Sequence, residues 1–366
     1  MKNIVKKIIV GSVITALFAG LCVCIPITIY NATMKDYSFS YTDDCTYEEM
    51  PEAYKKKNDK GGEIISFHYE TSTYYQEKAL ENNNQESGSF DKYLTYQNQS
   101  LDKVIYAYLP YGYDEKDTTT KYDVLYHIHG TTCDGTTLIQ GVGKDSETKN
   151  LLDNMIANGD MKPTIVVFPT WYNGNSIDKE NPDYLIAHYQ YELTNDVMPA
   201  VEKKLHTYAS LTDSMSQSEM KKSFIDSREH RGIGGYSRGS SLTWYTFAEN
   251  FEYFKWYAPM SGDYKCEFSK STVESCNEKC AQLEKKITDK DYGKNDFFIY
   301  SSVGAIDFAY KGVRMQFQAM MKCHDVFQYG QNAKKGNYFL CTANGVWHTD
   351  TTSPLYYYNS LRVLFH

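Results

Sequence analysis

The chain's clearest candidate for chemistry is Gly235-Tyr236-Ser237-Arg238-Gly239. It fits G-x-S-x-G, in which a serine sits on a tight strand-to-helix turn and the glycines relieve crowding around strained backbone. The context agrees, because apolar residues 232–236 read as a strand and residues 240–250 as the helix that follows. A serine hydroxyl is a poor nucleophile until a histidine takes its proton, and that histidine needs a carboxylate to fix its tautomer. Where the serine sits on such an elbow, the chain order is serine, acid, histidine. Downstream of Ser237 lie His324, His348 and His366. His348 fits best: it follows a strand (338–342) and a loop (343–347) and precedes the last helix, whereas His324 ends a helix and His366 ends the chain. For the acid, Asp307 follows the penultimate strand after Gly304-Ala305-Ile306, and Asp263 in Met260-Ser261-Gly262-Asp263 is the rival.

Acyl chemistry at Ser237 also needs two backbone N–H donors for the developing oxyanion. One is expected at Arg238, next after the serine. The other is expected after the strand 124–129, in His129-Gly130-Thr131-Thr132, with Thr131 preferred and Thr132 in reserve. His127 and His129 alternate along that strand with no third ligand nearby, so no metal is expected there, and the chemistry requires no cofactor. Trp171, Tyr172 and Trp347 are the aromatic candidates for holding substrate.

These residues need a scaffold. Strand-like segments are expected at 63–71, 103–109, 124–129, 164–168, 232–236, 297–303 and 338–342. Helical spacing puts Leu193, Val197, Val201 and Leu205 on one face, and Val313, Phe317 and Met320 on another. Strands separated by helices imply an α/β domain with a mostly parallel central sheet covered by helices on both faces. The polar stretch 265–295 reads as an insertion over the C-terminal edge of the sheet.

The whole chain has 366 residues and a formal charge of −8, which excludes electrostatic capture of nucleic acid by the bulk of the protein. Lys2, Lys6 and Lys7 precede an uncharged run over 8–29, so residues 1–30 read as a signal peptide or a retained N-terminal membrane anchor. Residues 31–60 are polar and read as a linker, leaving 61–366 as the catalytic domain. Export puts the cysteines in an oxidising compartment, where bridges are expected among Cys266, Cys276, Cys280, Cys323 and Cys341. Tyrosine is abundant, with 34 copies, and suits sugar or phenolic surfaces.

The chain resembles the feruloyl esterase and acetyl xylan esterase family of plant cell-wall hydrolases, in the esterase D-like group of α/β-hydrolases. The resemblance covers roughly residues 103–366. It rests on the elbow, on Tyr108-Leu109-Pro110-Tyr111-Gly112-Tyr113-Asp114, on Ser227-Arg228-Glu229-His230-Arg231-Gly232, on Pro259-Met260-Ser261-Gly262-Asp263 and on the segments 122–130, 152–159 and 304–310. It implies the α/β-hydrolase fold, with nucleophile, acid and base at Ser237, Asp307 and His348. Arg238 stands where the family often has Met, and Thr349-Asp350-Thr351-Thr352 stands where aromatics follow the histidine. Arg238 and Asp350 would then read an anionic or polar acyl group or pair with each other.

The expected activity is hydrolysis of acyl esters, feruloyl or acetyl, on a polysaccharide such as xylan. Acetyl is expected to be cleaved at least as well as feruloyl, because the polar run after His348 makes a poor wall for an aromatic ring. The alternatives are acyl transfer, hydrolysis of a small ester or thioester, and a catalytically silent carbohydrate-binding surface.

Overall fold

Five of the strands around Ser237 are buried over their whole length, and they stack side by side in the middle of one sheet. The computed structural model describes residues 47–72, 100–173, 182–266 and 271–366. The strands are β1 (Glu63–Ser72), β2 (Ser100–Leu109), β3 (Asp123–Ile128), β4 (Thr164–Phe168), β5 (Arg231–Tyr236), β6 (Trp256–Met260), β7 (Phe298–Gly304) and β8 (Tyr338–Ala343). They pair in the order β1-β2-β4-β3-β5-β6-β7-β8. Only the β1–β2 and β2–β4 pairings are antiparallel. Every residue of β3 to β7 is buried, as a sheet covered on both faces requires.

The helices between them are α1 (Glu147–Asn158), α2 (Pro182–Glu192), α3 (Met198–Lys204), α4 (Gln217–Asp226), α5 (Arg238–Asn250), α6 (Val273–Thr288), α7 (Tyr310–Met320) and α8 (Ser353–Ser360). α1 and α8 supply Leu151, Met155, Tyr356 and Tyr357 to the core on one face. α2, α3, α5, α6 and α7 fill the other with residues such as Ile186, Val201, Leu242, Leu283 and Val313. This is the mostly parallel sheet that the strand and helix spacing implies, in the α/β-hydrolase form that the family resemblance implies.

Three expectations need correction. β6 was missing from the sequence reading: Pro259 lacks a ladder N–H, so WYAPM does not look like a central strand, yet it pairs with Gly235 there. The stretch 265–295 is no loose insertion. Cys276, Cys280, Leu283 and Ile287 of α6 form one buried stripe at helical spacing, and α6 packs into the core. Cys280 and Cys323 are thiols, not halves of a bridge.

The expected signal or anchor at 1–30 and the start of the linker lie outside the described residues. Among the described residues, no helix is long and apolar enough to cross a membrane. The linker's described end, from Tyr47, is held against the domain. Glu48 N–H donates to Asn359 at 2.7 Å, Asn58 to Asn154 at 2.9 Å and Gly62 N–H to Asp153 at 2.7 Å. These bonds, two from backbone N–H groups and one from the Asn58 side chain, tie residues 48–62 to α1 and α8.

Under the start of β5 lies a buried ion pair. Arg231 forks onto Glu202 at 2.6 and 2.8 Å, and Glu202 also takes the Tyr126 hydroxyl at 3.0 Å. Two further Arg231 bonds reach the Phe224 and Tyr253 carbonyls, at 2.9 and 2.8 Å, so the charge is fully satisfied away from water.

Candidate active site

β5 ends at Tyr236 and α5 begins at Arg238, so Ser237 alone makes the turn, with φ 56° and ψ −116°. A non-glycine residue there is strained and must be held by its surroundings. Its N–H donates to the Met260 carbonyl at 2.8 Å, and its own carbonyl accepts from Ser241 at 3.1 Å. The glycines make room for this turn. A Cβ on Gly235 would stand 2.5 Å from the Ile128 carbonyl oxygen and 2.6 Å from that of Gly239, and one on Gly239 would sit closer still to Ile128.

The structure brings Ser237, Asp307 and His348 together. His348 Nε2 lies 2.9 Å from Ser237 Oγ, and Nδ1 lies 2.8 Å from Asp307 Oδ1. Asp307 is fully buried and also accepts the Ala309 N–H at 2.7 Å, which fixes the carboxylate's direction. The imidazole is flanked by Tyr236, at a ring separation of 4.9 Å, and by Phe308 at 4.0 Å. The rival acid points elsewhere: Asp263 Oδ2 takes the Ser271 hydroxyl at 2.9 Å. His324 is exposed.

The loop after β3 approaches the serine from the other side. His129 Nδ1–H bonds the Gly130 carbonyl at 2.8 Å, and Nε2 accepts from Thr170 Oγ1 at 2.8 Å. Both ring nitrogens are thus used, and burial pushes the His129 pKa down to about 4, so the ring is neutral and structural. His127 is buried against the Tyr357 hydroxyl and is lowered to about 3 for the same reason. Thr132, the reserve oxyanion donor, has φ 66° and gives its N–H to the Tyr172 hydroxyl at 3.0 Å.

Thr131 stays beside the serine, and its Oγ1 receives Arg238 Nη1 at 2.8 Å. Arg238 begins α5, where a first-turn N–H has no partner within the helix. Its guanidinium pairs with Asp183 at 2.9 and 3.1 Å, so the expected partnership with Asp350 gives way to one with α2. Asp350 instead accepts the Cys133 thiol at 3.4 Å, and burial pushes that thiol up to about 12.

Ser237 opens into a cleft of about 390 Å³ whose walls include Thr131, Cys133, Arg238, Phe308, His348 and Asp350. Of the three aromatic candidates, Trp171 is 1% exposed, donates Nε1–H to the His129 carbonyl at 2.9 Å and stacks on the His129 ring. It holds the loop from beneath and cannot be a platform for substrate. Tyr172 is half-buried, with its hydroxyl on Thr132, and Trp347 is exposed but is not among the residues lining the cleft. Two aromatic residues line the cleft, the buried Tyr236 and Phe308, which is 43% exposed and which sequence reasoning missed. The available signal was its position directly after Asp307, which forces it to the same edge of the sheet.

The fold defines the class: an α/β-hydrolase. No family model matches the chain. It is 31% identical over 272 residues to endo-1,4-beta-xylanase Y of Acetivibrio thermocellus, a match that covers 74% of this chain and 23% of that protein. The chain thus spans about a quarter of the curated relative's length. A feruloyl esterase module from Clostridium thermocellum, solved with sinapinate, is 28% identical with a TM-score of 0.69, covering 90% of this chain and 97% of the module. A ferulic acid esterase from Anaeromyces mucronatus shares the fold at 15% identity, with a TM-score of 0.54, over 87% of this chain and 96% of that one. The chain is thus similar in sequence and fold to feruloyl esterase modules, which are carboxylic ester hydrolases.

Proposed function

We propose that the chain is an exported serine esterase that cleaves hydroxycinnamoyl esters, feruloyl above all, from a xylan-type polysaccharide. The observation that carries this reading is His348, placed within hydrogen-bond reach of both Ser237 and Asp307 at the mouth of the cleft. Ser237 Oγ attacks the ester carbonyl carbon as its proton passes to His348 Nε2. The bond to the sugar oxygen then breaks, and His348 returns the proton to that oxygen, leaving an acyl-enzyme. Water attacks the acyl-enzyme carbonyl, giving a proton to Nε2. The bond to Oγ breaks, the free acid leaves, and the proton goes back to the serine. Asp307 orients the ring and stabilises its charged form. The amides of Arg238 and Thr131 hold the oxyanion.

The choice of acyl group turns on Phe308. The expected preference for acetyl rested on the polar run after His348, and Phe308 supplies an aromatic surface from a different loop. A ring laid against it gains about 0.5–1.5 kcal/mol beyond its area burial. The sinapinate complex of the related module and the xylanase relative support an aromatic acid on a xylan-type chain. Export is supported by the order of charge and apolarity in residues 1–30.

Turnover of matched feruloyl and acetyl arabinoxylan fragments tests the reading. Ser237→Ala should lower kcat by about 10⁴- to 10⁶-fold on either and abolish labelling by a fluorophosphonate. Wild-type kcat/KM should favour feruloyl by more than about tenfold, roughly 1.4 kcal/mol of transition-state binding. Phe308→Ala should erase most of that preference while changing acetyl turnover by less than about threefold. An acetyl preference in the wild type would remove the hydroxycinnamoyl assignment and leave the esterase mechanism standing.

A further inference from the structure

Arg238 occupies a place from which one side chain reaches both sides of the oxyanion site. Its backbone N–H belongs to the first turn of α5, while its Nη1 lies 2.8 Å from Thr131 Oγ1 on the loop after β3. The same guanidinium fork rests on Asp183 Oδ1 in the first turn of α2, at 2.9 Å from Nη2 and 3.1 Å from Nε. Three segments far apart in the chain therefore meet on one planar group, whose fixed geometry restrains direction as well as distance.

Resting on the reading of Ser237 and its two amide donors above, we infer that the Arg238 side chain is a positioning residue, which locks the Thr131 and Arg238 amides into one geometry by tying Thr131 to α2. The need for such a tie is visible in the loop. Thr132 is held by Tyr172 and His129 by Trp171 and Thr170, but those bonds fix the residues on either side of Thr131. The Arg238 bond acts on Thr131 itself. Oxyanion donors are effective because they need no reorganisation when charge develops. A loop free to drift would bind the ground-state ester unchanged and lose stabilisation only in the transition state. Asp183 neutralises the guanidinium, so Arg238 is not offered as a receptor for an anionic acyl group. The Asp183 side chain is 65% exposed, so salt weakens that half of the tie and leaves the Thr131 bond in place.

The experiment measures kcat, KM and affinity for a trifluoromethyl ketone analogue, whose serine adduct carries an oxyanion, in Arg238→Met, Arg238→Lys, Thr131→Val and Asp183→Asn. Each variant keeps its backbone N–H. Arg238→Met and Thr131→Val should each lower kcat about 10- to 100-fold, with KM within twofold and analogue affinity falling in step with kcat. Arg238→Lys should recover part of the loss, and Asp183→Asn should cost about threefold. The Arg238→Met/Thr131→Val double variant should be little worse than either single, because both remove the same tie. Losses that multiply in the double variant, a change confined to KM, or wild-type kcat in Arg238→Met would overturn the inference, while Ser237→Ala stays inactive. Full turnover in Ser237→Ala would instead overturn the underlying reading along with it.

Discussion

Asp307 and Asp263 are both buried carboxylates beyond the elbow, and what separates them is the partner each one faces. Asp307 meets His348 Nδ1, and Asp263 meets Ser271. Asp307→Asn should therefore lower kcat by about 10⁴-fold, because an amide presents the wrong partner to the ring and unsettles its tautomer. Asp263→Asn, with no such contact, should stay within about tenfold. Purified variants of both, compared by kcat and by Tm, decide the assignment, and a reversed ranking would move the acid to Asp263. Ser237, Asp307 and His348 could be chosen from the sequence because chemistry restricts the residue types and the elbow restricts their order, and the fold brings the three within hydrogen-bond reach. Residue type says less about exposure: Trp171 and Phe308 are both aromatic, yet one is buried under the loop after β3 and the other lines the cleft. Arg238 is expected from the sequence as a backbone donor, but its side-chain tie to Asp183 depends on a helix 55 residues earlier in the chain.

The elbow is the element on which the site depends, and its glycines are required by close approach. Gly239 lies in the first turn of α5 against the Ile128 carbonyl, so a methyl group there has backbone to displace. Gly239→Ala should destabilise the fold by about 2–3 kcal/mol, as overpacking does, and should disrupt Ser237 more than the loss of stability alone explains. Gly293→Ala is the control, since a Cβ there meets nothing within 4 Å, and it should change stability by less than about 0.5 kcal/mol. Chemical denaturation with kcat measured on the folded fraction separates the two effects. Elements with a clean period were readable from the sequence: the apolar run 164–168 is β4 with the same ends. The helical face from Leu193 to Leu205 is real, but its path is interrupted. Leu193–Val197 forms a π-helical turn just ahead of Pro199, whose missing N–H removes a helical bond. β6 and α6 were misread because a proline and a polar composition concealed a strand and a buried stripe.

At the scale of the whole molecule, the sheet holds its neutral histidines at the end of β3, where the chain leaves for the loop beside Ser237. His127 and His129 are both buried on β3 or just beyond it, and burial lowers them to about 3 and about 4 against an ordinary value near 6.5. Between pH 6.5 and pH 4 the unfolded chain therefore binds more protons at these two positions than the folded chain does. Stability from them is fully present above pH 6.5 and is lost as the pH falls through that window, at about 1.4 kcal/mol per pH unit for each histidine once its unfolded form is protonated. Their neutral rings support the Tyr357 contact on one side and the Gly130 and Thr170 bonds on the other, so acid should loosen the oxyanion loop together with the fold. Urea unfolding from pH 5.5 to 4.5 should show this slope in the wild type. His127→Asn, which keeps a polar group near the Tyr357 hydroxyl and removes the titration, should reduce the slope by about 1.4 kcal/mol per pH unit. An unchanged slope in that variant would show that His127 is protonated in the folded protein, and that the acid sensitivity resides in the carboxylates.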